Sequence, residues 1–208
     1  MQENKSNINN HPIDAVILWV DGEDEAHQKK MLPYIEDKKK LKSKKFQTRF
    51  NQVNEIQFTV NSILKFAPYV RNIFIVTDNQ TPTFLKEKDT EARYKNVSII
   101  DHSTIFKGYE EYLPIFNCRP IETSIYKIPN LAEHFIYLND DFFLINPTKP
   151  TDFFENGLPI LRGKWKKFDK DIFYKKFKKP KAGHKSIQQN AAKLIGFNKY
   201  YNFKHNIT

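Results

Sequence analysis

Four short apolar runs, each closed by a carboxylate or an amide, set the hydrophobic pattern of this chain. Residues 13–20 are apolar and rich in β-branched side chains, and they close on Asp21-Gly22. Residues 72–77 close on Asp78, residues 97–100 on Asp101-His102, and residues 134–138 on Asn139-Asp140-Asp141. Runs of this length, bounded by turn residues, predict buried strands. Stretches of helical spacing lie between them. Ile56, Val60, Ile63 and Leu64 predict a helix over 54–66, with Asn54 as its cap, Glu55 and Gln57 in its first turn, and Pro68 beyond its end. Short helices are predicted around Phe84-Leu85 and over 122–127, the latter closed by Pro129. A last helix is predicted over 186–195, with Gly196 at its C-terminus. Trp19 reads as core.

Alternating strands and helices predict an α/β fold, a largely parallel sheet flanked by helices in a Rossmann-like, nucleotide-sugar-transferase-like arrangement. Ligands of such sheets bind at the carboxyl ends of the strands. Connectivity alone therefore gathers Asp21, Asp78, Asp101, Asn139, Asp140 and Asp141 at one edge. The expected organisation is a disordered lead-in over 1–12, a catalytic-type domain over 13–146 and a Lys-rich extension over 147–208. Residues 25–48 read as a polar loop or a mobile helix.

Charge adds a second theme. The 208 residues carry 34 Lys+Arg against 24 Asp+Glu, a net +10, with the excess mainly in 29–49 and 162–185. Such runs attract polyanions. The acidic strand ends oppose a nucleic-acid partner, and the basic runs read as lacking interleaved aromatic side chains. A lone cysteine, Cys118, allows no disulfide within the chain and no thiolate metal cage, so a reducing compartment is expected. The polar first residues show no signal peptide and no apolar run approaches a membrane span. The expectation is a cytoplasmic protein, soluble or peripheral at the inner membrane face. With six glycines and no Gly-rich phosphate loop, P-loop and dinucleotide-binding readings are poor.

Adjacent Asp140 and Asp141 suit a hard divalent cation, Mg²⁺ or Mn²⁺, whose shell phosphate oxygens would complete. The alternative is a turn or cap cluster. The cost of burying unpaired charge inside an apolar stretch favours function. Asp21, Gly22 and Asp24 repeat the logic at the first strand, where glycine lets a ligand approach the backbone. Asp101-His102 offers a general base or a metal ligand, with a structural histidine as the alternative. His184 and His205 have the same standing.

In order and in wording these acidic strand ends resemble the Stealth protein family. That family includes bacterial capsular polysaccharide phosphotransferases and the catalytic part of the animal N-acetylglucosamine-1-phosphotransferase. Ile13-Asp-Ala-Val-Ile-Leu-Trp-Val-Asp-Gly-Glu-Asp24 looks like its first conserved region. Arg49-Phe50, Asn54-Glu55, Lys65 through Gln80, Ile100-Asp-His-Ser103, Leu113 through Asn117, Ile121-Glu122 and Glu133 through Leu144 resemble the second. The match covers about two thirds of the chain. Residues 184–205 are similar to the start of a third region, and the chain is expected to be truncated before the segments that complete the site.

The resemblance implies transfer of a hexose-1-phosphate from a UDP-sugar, such as a UDP-N-acetylhexosamine, to a glycan hydroxyl in capsule or exopolysaccharide synthesis, releasing UMP. Asp140 and Asp141 would serve as metal ligands or base, and Asp21 and Asp24 would bind nucleotide or sugar. Asp101, His102 and Glu122 would position the acceptor or sugar, while Arg49 and the second Lys-rich stretch would hold phosphate. Gly22, Asn54, Glu55, Asp78, Asn117, Asn139 and His205 complete the expected substrate-binding set. The rival readings are a metal-dependent glycosyltransferase releasing UDP and an inactive truncated binding remnant.

Overall fold

The computed structural model describes residues 11–35, 53–86, 92–177 and 183–203. Residues 1–10 of the lead-in, Arg49 and His205 lie outside the described residues. The chain divides into two compact units, residues 1–157 and 158–208.

The first unit is a four-stranded sheet built from β1 (Ile13–Leu18), β2 (Val70–Thr77), β3 (Val97–Asp101) and β4 (His134–Asn139), in the order β3-β2-β1-β4. All three pairings are parallel, so the predicted α/β class holds. The apolar runs are continuous because both faces are covered. Ala15, Ile17 and Trp19 pack on one side with Ile73 and Ile75 and with Ile56, Val60 and Ile63 of helix α2 (Glu55–Phe66). Val16, Phe74 and Val76 pack on the other with Ile105, Phe106, Ile121 and Ile125. Trp19 is core, as its strand position implies.

Asp14 breaks the apolar run and is wholly buried. It sits at the amino edge, opposite the acidic strand ends. Its carboxylate takes two bonds from Arg71 (3.0 and 2.7 Å) and accepts the backbone N–H of Asn72 (3.1 Å) and of Ala132 (2.7 Å). One side chain thus ties β1 to the start of β2 and to the approach to β4.

Two local expectations shift. Asn54 stands at the head of α2 but makes no side-chain cap bond, because its backbone is left-handed (φ 60°). Glu55 instead accepts the N–H of Val53 at 2.9 Å. The helix expected over 122–127 lies earlier, at Cys118–Glu122, and is followed by a 3-10 turn at Ile125–Lys127. Asn117 starts it by accepting the N–H of Arg119, and Pro120 sits in the first turn, where its missing N–H costs nothing. The polar segment after Asp24 opens with α1 (Glu25–Met31). Helices α3 (His102–Ile105) and α4 (Cys118–Glu122) are short.

In the second unit β5 (Gly163–Lys166) and β6 (Tyr200–Phe203) pair antiparallel, with α5 (Phe173–Lys176) and α6 (His184–Leu194) between them in the chain. Phe168, Ala192 and Tyr200 form its small core. Aromatic residues do alternate with the lysines here, contrary to the sequence reading. Trp165 lies between Lys164 and Lys166, and Phe173, Tyr174 and Phe177 surround Lys175-Lys176. Among the described residues, no helix is long and apolar enough to cross a membrane.

Candidate active site

The strand order puts a topological switch between β1 and β4, where the chain leaves β3 at one edge and returns beside β1. Ligands of open parallel sheets bind outside the carboxyl ends at such a point. The strands end level: Leu18 pairs with Asn139 and with Val76, and Thr77 with Asp101. Asp101, Asp78, Asp21 and Asn139-Asp140 therefore line one edge in that order, as connectivity predicts.

The β1 turn is held by a residue that sequence reading quoted but gave no role. The side-chain amide of Gln80 accepts the N–H of Asp21 and donates to its carbonyl, both at 2.9 Å. Gln80 is buried and thereby extends the β1–β2 pairing past the strand ends. Asp21 accepts the N–H of Glu23, and Asp24 caps α1 by accepting from Ala26 and His27. The His27 N–H, helped by its neighbours, keeps the Asp24 carboxyl below its usual range. Gly22 is buried, and its carbonyl accepts from Gln28.

At the β2 and β3 ends, Asp78 takes two short bonds from Lys30 (2.6 and 2.7 Å) and lies 3.9 Å from His27 Nδ1. Asp101 accepts from Ser103 and from the N–H of Asn79. Burial pushes the Asp101 carboxyl up, but those hydrogen bonds outweigh it and the net shift is downward. His27 and His102 are both buried, and burial lowers both against the raising pull of Asp78. Their Nδ1 atoms have no hydrogen-bond partner. Lys30, Asp78, Asn79, Asp101 and Ser103 line an open cleft of about 530 Å³.

The β4 end carries the strongest electrostatic signature. Burial, and then the charge of Asp141, push the Asp140 carboxyl up to about 6, with Glu55 adding to the effect. Thr59 of α2 donates to the Asp140 carbonyl, and Ser62 accepts the N–H of Leu144, so the loop after β4 is pinned to α2. The single hydroxyl proton of Tyr137 is shared between Glu122 and Asn139, each oxygen at 3.1 Å, and burial followed by the Glu122 charge raises its hydroxyl. Glu122 and Asn139 are thus joined through a tyrosine that the sequence gave no reason to single out. Asn117 caps α4, and Asn54 and Glu55 stand at the head of α2. A second cleft of about 470 Å³ lies between α2 and the loop, lined by Glu55, Phe58, Asn61, Lys65 and Phe143.

No group of three or more His, Cys, Asp or Glu among the described residues forms a ready metal cage. Mg²⁺ needs fewer protein ligands than that, since one or two carboxylates beside substrate phosphates suffice. Asp140 and Asp141 are the adjacent carboxylates at this strand end, where burial first, and then the Asp141 charge, raises Asp140.

Residues 11–39 match the family model of Stealth protein conserved region 1, and residues 49–160 that of conserved region 2. The chain is 43% identical over 165 residues to the capsular polysaccharide phosphotransferase fcs1 of Haemophilus influenzae, covering 76% of this chain and 42% of that protein. It is 43% identical over 152 residues to the capsular polysaccharide phosphotransferase LcbA of Neisseria meningitidis, covering 72% and 40%. It is 40% identical over 148 residues to the exopolysaccharide phosphotransferase cps2G of Lactiplantibacillus plantarum, covering 71% and 41%. The chain thus spans about two fifths of the length of these relatives.

Proposed function

The chain belongs to the Stealth protein family, and from that premise we propose that it transfers a sugar-1-phosphate from a UDP-sugar to a hydroxyl of a capsular or exopolysaccharide acceptor. The observation that carries this reading is the Asp140-Asp141 pair at the sheet's switch point, with Asp140 lifted to about 6. A carboxyl poised near neutral pH suits proton transfer better than an ordinary one.

In the proposed step the acceptor oxygen attacks the phosphorus nearer the sugar. The bond from that phosphorus to the bridging oxygen breaks, UMP leaves, and the sugar-1-phosphate is joined to the acceptor through a phosphodiester. Asp140 serves either as the base that takes the hydroxyl proton or, with Asp141, as a ligand of Mg²⁺ or Mn²⁺, which would neutralise pyrophosphate charge. Asp21, fixed by Gln80, holds the nucleotide or sugar on the β1 side, and Tyr137 orients Glu122 toward the acceptor. The wall at Asp78 and Asp101 completes the donor side. A chain with one cysteine suits the reducing cytoplasm, where we place the reaction.

The assay incubates the chain with UDP-N-acetylglucosamine, Mg²⁺ and a capsular glycan acceptor. UMP should be released, and Asp140→Asn should lower the rate by about a hundredfold or more. Release of UDP would identify a glycosyltransferase and overturn the reading. Calorimetric binding of the UDP-sugar without release would identify a binding module.

A further inference from the structure

The two units divide the charge very unevenly. Residues 158–208 contain 14 Lys+Arg and two acids, Asp169 and Asp171, a net +12. Since the whole chain is +10, residues 1–157 carry 20 Lys+Arg and 22 Asp+Glu, a net −2. Fourteen cations cannot be neutralised within the small unit by two acids. Asp169 already serves both Lys175 and Lys185.

That unit also exposes large apolar side chains. Trp165 is 56% exposed and packs edge-on against Phe197 (5.6 Å) and Tyr201 (5.3 Å). The Trp165–Phe197 contact sets the indole beside the C-terminal end of α6. There Leu194 and Ile195 are 87% and 68% exposed. Trp165 and Phe197 touch, and Leu194 and Ile195 lie just before Phe197 in the chain; Lys193 and Lys199 flank that run, while strand alternation turns Lys164 and Lys166 to the face opposite Trp165. Phe173 and Phe177 form a second exposed pair, their rings 6.0 Å apart.

We infer that residues 158–208 form a docking surface for an anionic lipid bilayer. Lysines around exposed Trp, Phe, Leu and Ile match what an interface of anionic headgroups over acyl chains rewards. A polysaccharide stacks on aromatic faces but gains nothing from Leu194 or Ile195. A nucleic acid likewise uses cations and aromatic rings and leaves bare aliphatic side chains in water. Lipid is the ligand that engages all three kinds of group. This inference stands on the second unit alone and holds whatever reaction the first unit performs.

The test uses the full chain with vesicles of phosphatidylcholine alone, or containing about 30% phosphatidylglycerol, at about 0.1 M salt. The chain should sediment with the anionic vesicles and not with the neutral ones. The chain has two tryptophans, and Trp19 is in the core, so a blue shift and quenching by acyl-brominated lipid report on Trp165. Leu194→Ser with Ile195→Ser leaves the charge unchanged and should weaken vesicle binding by about tenfold or more. Lys199→Gln should weaken it about fivefold, the equivalent of about 1 kcal/mol per lysine. Circular dichroism of each variant establishes that the unit is folded. The inference fails if Trp165 shows neither shift nor quenching. It also fails if the double serine variant binds as well as the native chain. Tighter binding of an oligonucleotide or an anionic glycan than of the vesicles, without change at Leu194 and Ile195, overturns it in favour of that polyanion.

Discussion

Asp140 gives up its proton late, because burial and then the charge of Asp141 oppose its ionisation. Folding lifts this carboxyl to about 6 from 3.8, so the native state keeps the proton more tightly than the unfolded chain does. Its favourable contribution is full below about pH 4 and is lost as pH rises through about 6. Asp140→Asn removes the charged form and should stabilise the chain at pH 7.5. The gain expected is about 1–2 kcal/mol, reduced for the solvent that still reaches the group. Mg²⁺ should raise the melting temperature of the native chain, and the same substitution should abolish that rise. Thermal melts at pH 5 and pH 7.5, with and without Mg²⁺, check both effects. The pairing of Asp140 with Asp141 was legible from the sequence because two adjacent acids stood inside an apolar stretch. The contribution of Glu55 was not, since it comes from a helix more than 80 residues away in the chain.

At the level of elements, the carboxyl ends of the strands are held in line by side chains that stand in for backbone. Gln80 performs this at Asp21 with two hydrogen bonds from a buried amide. Gln80→Ala should cost about 1–3 kcal/mol by leaving the Asp21 backbone groups without their partner. Hydrogen exchange at the Asp21 amide should quicken by more than at β1 amides such as Ile17. Unchanged exchange at Asp21 would show that the turn holds itself. The strands themselves were readable because a sheet covered on both faces gives unbroken apolar runs ending at a turn. The helices were read less well. Asn54 looked like a cap, but its left-handed backbone carries the side chain away from the helix amides. The Asn117-x-x-Pro120 start signal of α4 was in the sequence, yet the apolar spacing further on drew the expected helix downstream.

Over the whole molecule, charge separates what composition averages. A net +10 conceals a nearly neutral catalytic-type unit and a 51-residue unit at +12. Like charges at that density repel one another and weaken the compact state, and salt screens them. Raising NaCl from about 0.05 to 0.5 M should therefore slow amide exchange in α6 and β6, while the β1–β2 ladder changes little. Exchange measured by mass spectrometry in the two buffers resolves the units. Equal responses would show that self-repulsion plays no part in the second unit's stability. The sequence located both basic runs but not their mixture with exposed apolar rings, because exposure depends on how few neighbours so small a core supplies.

Asp14 gives the twelve-residue segment from Ile13 to Asp24 a second character. Its far end shapes a site, while its second residue is a buried acid answered by Arg71, Asn72 and Ala132. The segment is therefore not a portable cassette. Transplanted into another parallel sheet it would bring a buried acidic side chain into a foreign interior with no guanidinium to meet it. An engineer would have to move Arg71 and the turn before Ala132 along with it, three separate pieces of chain for one loop.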